Sequence, residues 1–185
     1  MATYDDPRIL RAVAHPTRNR ILSELSAAGS LRAADIARLL DVPANQASFH
    51  LRQLAKYGLV EEAPDEARDK RDRVWRLTDE DGIRFRTRDM IEQPGGEAAW
   101  AVFQRNAVAW GHHLVDRALE RDDDQKRPKS VSEYALRLTP EESEQLMGEI
   151  NDLVEAWRQR TAGTDDGRVT YSVYQLIQPY PEVER

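Results

Sequence analysis

The sequence predicts a mainly α-helical fold with a small amount of β-structure (α+β). An N-terminal winged helix-turn-helix is followed by a long helix and a C-terminal strand-helix-strand unit. Three observations lead to this expectation. Residues 31–77 give a helix, a tight break, a second helix and two strand-like segments, the order of a winged helix-turn-helix. A helical pattern follows a Pro-Gly-Gly break at residues 94–96. Residues 132–185 contain two alternating segments on either side of an amphipathic helix.

The helix pair is predicted from local signals. A short helix over residues 33–40 is followed by the break Asp41-Val42-Pro43, and a second helix over residues 44–57 ends at Gly58. At about 100° per residue, the second helix has one apolar face, the pattern of a helix packed on a core. That face consists of Ala47, His50, Leu51 and Leu54. Two strands over residues 59–62 and 73–77 complete the unit.

The other side of the second helix has the chemistry of a DNA-binding surface. Neither Asp nor Glu occurs from Val42 through Val60, although the chain has 33 acidic residues. A surface that lies against phosphates excludes carboxylates, whereas a merely solvated helix usually mixes both signs. The predicted DNA contacts of this helix are Asn45, Gln46, Ser48, Phe49, His50, Arg52 and Lys56. A small helical domain with a basic surface is the alternative, and the basic strand loop that follows favours DNA binding over it.

The loop between the two strands is strongly charged. Residues 66–73 include four cations, which suits a wing that holds phosphates or enters a minor groove. We expect Arg68, Lys70 and Arg71 to contact phosphate. Aspartates alternate with these cations, so a solvated hairpin loop stays open as an alternative. Trp75 is expected to pack the wing on the domain, because it alternates with charged residues along its strand.

Four short motifs carry a family resemblance. They are His-Pro-Thr-Arg-Asn-Arg-Ile-Leu at residues 15–22, Asp-Ile-Ala-Arg-Leu-Leu-Asp-Val at 35–42, Ala-Ser-Phe-His-Leu-Arg-Gln-Leu at 47–54, and Gly-Leu-Val at 58–60. Residues 7–80 thereby resemble the ArsR-type family of bacterial winged-helix repressors. The resemblance implies a homodimeric repressor that releases DNA when an effector binds. One departure is Arg32, which stands where the family's helix usually begins with a capping Ser or Thr.

A second departure is the complete absence of cysteine. The best-known members of the family sense soft metals through cysteine thiolates, so this absence excludes that kind of site as well as thiol-based redox sensing. His112, His113 and Asp116 lie close together on a later helix and are the residues with which a harder zinc site would have to be built. Ordinary helix surface accounts for them better, because three ligands make an incomplete site. No metal and no cofactor are predicted.

Charge and composition divide the chain. Residues 1–90 have a net charge of +1 and residues 91–185 of −7, so the DNA surface is expected in the first half. We expect a winged helix-turn-helix domain at 1–90, a dimerisation helix at 91–121, a charged linker at 122–131 and a C-terminal unit at 132–185. The chain has neither a signal-peptide pattern nor an apolar run that could cross a bilayer, which predicts a cytoplasmic protein.

The long helix, predicted over residues 97–121, has apolar residues at alternating three- and four-residue steps. We call this stripe the aromatic seam; it consists of Trp100, Phe103, Ala107, Trp110 and Leu114. The seam is predicted to pack against its twin in a homodimer, with Leu10 and Val13 of the first helix contributing. Coverage of the seam by the C-terminal part of the same chain is the alternative.

The C-terminal unit is predicted as two strands around one helix. A strand over residues 134–138, a helix that begins after Thr139 with a capping box, and a strand over residues 169–177 give a β-α-β order, with the sheet completed by a partner. Tyr134, Tyr171 and Tyr174 are candidate walls of an effector pocket, since tyrosine offers both apolar area and a hydroxyl. A purely dimerising unit whose tyrosines pack the sheet explains them equally well.

The sequence contains no motif of an enzyme. It has no cysteine nucleophile, no Gly-x-Ser-x-Gly turn, no glycine-rich phosphate loop and no His-Glu-x-x-His pair. We therefore predict a homodimeric DNA-binding transcription regulator, a repressor that a small-molecule effector releases from a palindromic operator. The alternatives are a regulator without a ligand, whose C-terminal unit only dimerises, and a winged helix that binds protein rather than DNA.

Overall fold

The computed structural model describes residues 2–67, 73–79, 83–121, 127–163 and 167–181. The described part is mostly helical, with a three-stranded antiparallel sheet and a separate pair of short strands. The helices are α1 (Pro7–Val13), α2 (Pro16–Ala28), α3 (Ala33–Leu39), α4 (Ala44–Lys56), α5 (Thr87–Glu92), α6 (Gly96–Leu119) and α7 (Pro140–Thr161). The strands are β1 (Ala2–Tyr4), β2 (Ser30–Arg32), β3 (Val60–Glu62), β4 (Val74–Leu77) and β5 (Ile83–Phe85).

The helix pair and the wing form as the sequence predicts. Helices α3 and α4 pack on each other, and β3 and β4 pair antiparallel with Val60 opposite Leu77. Strand β2 joins the other edge of β4, so that the sheet order is β2-β4-β3. Trp75 is only 4% exposed, which confirms that it packs the wing on the domain rather than facing outward. The fold of this part is a winged helix-turn-helix.

One hydrophobic core lies between the first helices, the sheet and the beginning of α6. Its fully buried side chains come from every helix of the N-terminal part, among them Leu25, Ile36 and Leu54. Met90 and Ala99 belong to the same cluster, although they lie beyond or at the boundary expected near residue 90. The long helix is therefore packed on the DNA-binding domain from its first turns.

The sharp entry into α6 depends on two glycines. Gly95 has a φ of 79°, a left-handed conformation that glycine adopts without steric cost. At Gly96, a β-carbon would lie 2.0 Å from the carbonyl oxygen of Met90, so no larger residue fits. The predicted Pro-Gly-Gly break is thus a close contact between α5 and α6.

Helix α6 packs on α1 of its own chain, which corrects part of the dimer prediction. Leu10 is fully buried and Val13 is 7% exposed in the intrachain core, so neither is available to a second copy. Trp100 and Phe103 stack with ring centroids 5.4 Å apart and pack against that core. Trp100 and Phe103 of the aromatic seam thus pack on the chain's own core, whereas Ala107 is exposed.

The C-terminal region contains α7 and, within the described residues, no strand. Helix α7 begins with the predicted capping box, in which Glu142 N donates to the Thr139 hydroxyl and Thr139 N to the Glu142 carboxylate. The predicted strands over 134–138 and 169–177 are not formed, and Leu153 and Trp157 of α7 are more than half exposed rather than buried. A strand needs a neighbouring strand for its hydrogen bonds, and the described part of this chain offers none to these segments.

No helix in the described ranges combines the length and the apolar character that crossing a membrane requires.

Candidate nucleic-acid interface

The turn between α3 and α4 sets the direction of the second helix. Asp41 has a φ of 52°, and aspartate is one of the few residues that tolerate this left-handed conformation. Helix α3 begins without the usual capping hydroxyl; instead Arg32 donates from Nε and Nη2 to the carboxylate of Asp35, at 2.6 and 2.9 Å. The ion pair joins the residue before α3 to its first turn, and the left-handed residue at 41 lies in the turn that leads into α4.

Helix α4 presents two chemically different faces. Ala47, Leu51 and Leu54 have no exposed surface and anchor the helix in the core. We call the opposite side the recognition face; it consists of Asn45, Gln46, Ser48, Phe49, Arg52 and Lys56. All of these are exposed or half-buried, and Phe49 is 51% exposed, which is unusual for a phenyl ring. Within the described residues, no ion pair joins Arg52 or Lys56 to a carboxylate, so both cations face outward without local neutralisation.

The cations of the sheet behave differently. Arg76 donates to Glu61 at 2.9 Å and to Asp65 at 3.2 Å, and Arg73 contacts Glu62 at 3.3 Å. The carboxylates beside Arg76 raise the pKa of its guanidinium, chiefly through the hydrogen bond to Glu61. The uncompensated positive charge is therefore on α4 rather than on the strands of the wing.

A small cleft separates α4 from the wing. It has a volume of about 160 Å³ and is lined by Ser48 and Arg52 of α4, by Arg73 and Trp75 on the strand side, and by Ala33. Arg52 of α4 and Arg73, which also contacts Glu62, thus border one groove, and an arginine at such a groove suits contact with a phosphate oxygen. Arg68, Lys70 and Arg71, the predicted phosphate contacts of the wing tip, lie outside the described residues.

His50 is a correction to the predicted set of DNA contacts. It is 5% exposed, and its ring lies 4.6 Å from the ring of His15, centroid to centroid. Its placement on the core face of α4 was evident from the helical period, and the structure removes it from the DNA surface. It still contacts the recognition face indirectly, because the Phe49 ring packs edge-on against it at 5.4 Å.

The surroundings of the histidine pair disfavour its protonated form. Burial, followed by the positive charge of Arg18, lowers the pKa of His15. Burial likewise lowers the pKa of His50, with smaller contributions from His15 and Arg18. Both Nδ1 atoms are buried without a hydrogen-bond partner among the protein atoms, as is Nε of Arg18. The ring of His15 thus supports the buried face of α4, and an added proton on either histidine is disfavoured.

The residues of the possible metal site and of the possible effector pocket do not come together in the structure. His112 and His113 are exposed, the latter packed on Trp110 with ring centroids 5.4 Å apart, and the described residues contain no group of three or more side chains placed to hold a metal ion. Tyr134 and Tyr171 are not among the residues that line the cavity beside Tyr174, and Tyr134 is 84% exposed. Tyr174 alone lines a larger cavity beside Trp110, which sequence reasoning did not find because its walls are distant in the chain.

Comparison with known proteins agrees with the geometry of the N-terminal part. Residues 13–63 match the family described as "Helix-turn-helix domain", which covers α2 to β3. No curated protein matches the chain significantly. The first half of this molecule is therefore a winged helix-turn-helix domain, the class of DNA-binding module found in transcription regulators.

Several solved structures are distantly similar. The YusO protein from Bacillus subtilis is 18% identical over 80% of this chain and 79% of its own, with a TM-score of 0.37. The adhesin competence repressor AdcR from Streptococcus pyogenes is 18% identical over 77% of this chain and 81% of its own, with a TM-score of 0.35. A mutant of MarR from E. coli is 16% identical over 80% and 86%, with a TM-score of 0.35. Because TM-scores this low do not support an assignment, the fold is assigned from its helices and strands and from the family match to residues 13–63.

Proposed function

We propose that this protein is a sequence-specific, homodimeric DNA-binding transcription regulator, a bacterial repressor of the ArsR-like type that acts in the cytoplasm. The observation that carries the proposal is the recognition face. Its amides and cations are exposed on the second helix of a helix-turn-helix, beside a wing and without a carboxylate. Such a helix enters the major groove, where asparagine and glutamine pair with adenine, and arginine pairs with guanine or phosphate.

The homodimer is supported by a second stripe on α6. The aromatic seam is partly occupied by the chain's own α1, but a separate face of the same helix repeats at heptad spacing and is exposed. We call it the outer stripe; it consists of Ala101, Val108, Val115 and Leu119. Val108 is 52% and Leu119 67% exposed, so the stripe is an apolar surface that a second α6 can cover.

The C-terminal region supports a homodimer as well. Val173 and Leu176 are about 70% exposed, and the two alternating segments on either side of α7 lack strand partners in the described part of the chain. A second copy of the chain can provide a strand edge for these segments and an apolar surface that covers Val173 and Leu176. Two winged helices related by a twofold axis read half-sites roughly 34–36 Å apart, which implies a palindromic operator.

An electrophoretic mobility shift with DNA from upstream of the protein's own gene tests the proposal. We expect a retarded complex that unlabelled specific DNA displaces and that excess nonspecific DNA does not. Replacing Arg68, Lys70 and Arg71 together is expected to weaken binding to all sequences and to lower the salt dependence by up to ~3 units per monomer. Binding of specific and nonspecific DNA with equal, negligible affinity would favour a winged helix that binds protein instead.

A further inference from the structure

A cavity lies where the C-terminal segment crosses the DNA-binding domain. It has a volume of about 570 Å³, within the roughly 300–1,000 Å³ typical of small-molecule sites. Its apolar walls include Val13, Leu22, Phe103 and Trp110, from α1, α2 and α6, and Tyr174 lines it from the C-terminal segment. Residues from four separated parts of the chain therefore meet around one space.

Two contacts hold the C-terminal segment over this cavity. The Thr170 hydroxyl donates to Oε2 of Glu24 on α2 at 2.7 Å, and Glu24 is only 3% exposed. Tyr174 lies against α6 at Gly111, where a β-carbon would be 2.9 Å from the tyrosine hydroxyl oxygen. The segment is thus attached to both walls, and glycine at 111 is what allows the tyrosine to lie so close to the helix.

The polar residues that line the cavity are uncharged except for Arg20. Side-chain amides of Asn19 and Asn106 line it together with serine and tyrosine hydroxyls, and no carboxylate is among its lining residues in the described chain. Arg20 is the charged side chain at the cavity, and its Nε and Nη2 atoms bind Glu24. A guanidinium has five N–H donors on three nitrogens, and the contacts with Glu24 involve Nε and Nη2 but not Nη1. Glu24 offsets the charge of Arg20, so the site offers hydrogen-bond donors and suits an aromatic body with one accepting group, a carboxylate among them.

The cavity is connected to the recognition face through one residue. His15 lies between Ala14 and Pro16, both of which line the cavity, and its ring contacts His50 of α4 at 4.6 Å. His50 in turn supports Phe49 on the recognition face. A ligand that moves the corner between α1 and α2 therefore acts on the helix that reads DNA.

We propose that this cavity is a binding site for a small aromatic acid, and that its occupancy changes the position of α4 through the contact between His15 and His50. The regulatory half rests on the proposed DNA-binding function, whereas the binding half does not. Tyr174 and Arg20 have separate roles in it: Tyr174 packs on the aromatic body, and Arg20 donates hydrogen bonds to the acidic group.

The test uses anilinonaphthalene sulfonate, an aromatic fluorophore with one anionic group, and neutral phenylnaphthylamine as its uncharged counterpart. The full-length protein is expected to bind the sulfonate saturably at one site per chain. Ala107→Trp fills the cavity and should weaken binding at least about tenfold. Ala98→Trp places the same side chain on an exposed face of the same helix and should leave binding unchanged. Arg20→Gln should weaken the sulfonate more than the neutral probe.

Several results would overturn the proposal. One is unchanged probe affinity in Ala107→Trp; if that variant does not fold by circular dichroism, unchanged affinity in Tyr174→Ala has the same meaning. Another is conversion of a wild-type dimer to a monomer by Ala107→Trp in light scattering, because the cavity would then hold a second copy. Saturating probe should also change DNA affinity by at least about fivefold, and an unchanged affinity would overturn the regulatory half. Probe binding is measured without DNA, so a protein that fails to bind DNA refutes the proposed function and leaves the cavity test decisive.

Discussion

The two faces of α4 can be separated by a pair of substitutions two positions apart. Leu51 has no exposed surface and lies in the core, whereas Phe49 is 51% exposed on the recognition face. Leu51→Ala removes buried methyl groups and leaves a cavity, so it should lower the free energy of unfolding by about 3 kcal/mol. Full burial of a phenyl side chain is worth about 1.5–3 kcal/mol, so the half-buried Phe49 should cost about 1 kcal/mol when it is replaced by alanine.

Urea denaturation followed by circular dichroism gives both free energies of unfolding. Fluorescence anisotropy with labelled operator then gives DNA affinity under conditions in which both variants are folded. We expect Phe49→Ala to lose DNA affinity despite its small effect on stability, and Leu51→Ala to show the reverse. A Phe49→Ala variant as unstable as Leu51→Ala, or one with full DNA affinity, would refute the assignment of faces.

Two further perturbations address the support of α4. Because burial lowers the pKa values of His15 and His50 below their ordinary 6.5, the unfolded chain binds more protons than the folded one. The free energy of unfolding should therefore be complete above pH 6.5 and fall as the pH drops below it. We expect His50→Leu to flatten this dependence, which urea midpoints from pH 7.5 to 5.0 measure. At the turn, Asp41→Gly should be neutral or stabilising by up to about 1 kcal/mol in thermal unfolding, whereas Asp41→Val should cost about 1–2 kcal/mol. Equal effects of the two substitutions would mean that the left-handed turn is unstrained.

Local signals explain why the helix-turn-helix was predictable. The break at residues 41–43 and the glycine after Tyr57 mark the ends of α4, and its period separates Leu51 from Arg52 without reference to any other element. Such information lies within a few residues of the chain. The result is that the bounds of α3, α4, β3 and β4 differ from the expected ones by a residue at most.

The errors concern partners distant in sequence. The period of the aromatic seam is the same whether α6 packs on a second copy or on α1, so it could not show that Leu10 and Val13 belong to the intrachain core. The helical period already places His50 on the core face, and what the sequence does not reveal is His15 as its neighbour there. Alternation predicted strands over 134–138 and 169–177, but a strand also requires a partner, and alternation carries no information about one.

The central claim is that the recognition face binds DNA, and the affinity of Arg52→Ala for the operator tests it most directly. Arg88→Ala is the matched control, because Arg88 lies on α5, outside the proposed interface. Its side chain is 92% exposed, and its Nε atom lies 3.9 Å from the carboxylate of Glu92. We expect Arg52→Ala to remain folded and to lose about 1–3 kcal/mol of binding free energy, with Arg88→Ala unchanged. Equal operator affinity in wild type and a folded Arg52→Ala would contradict the account.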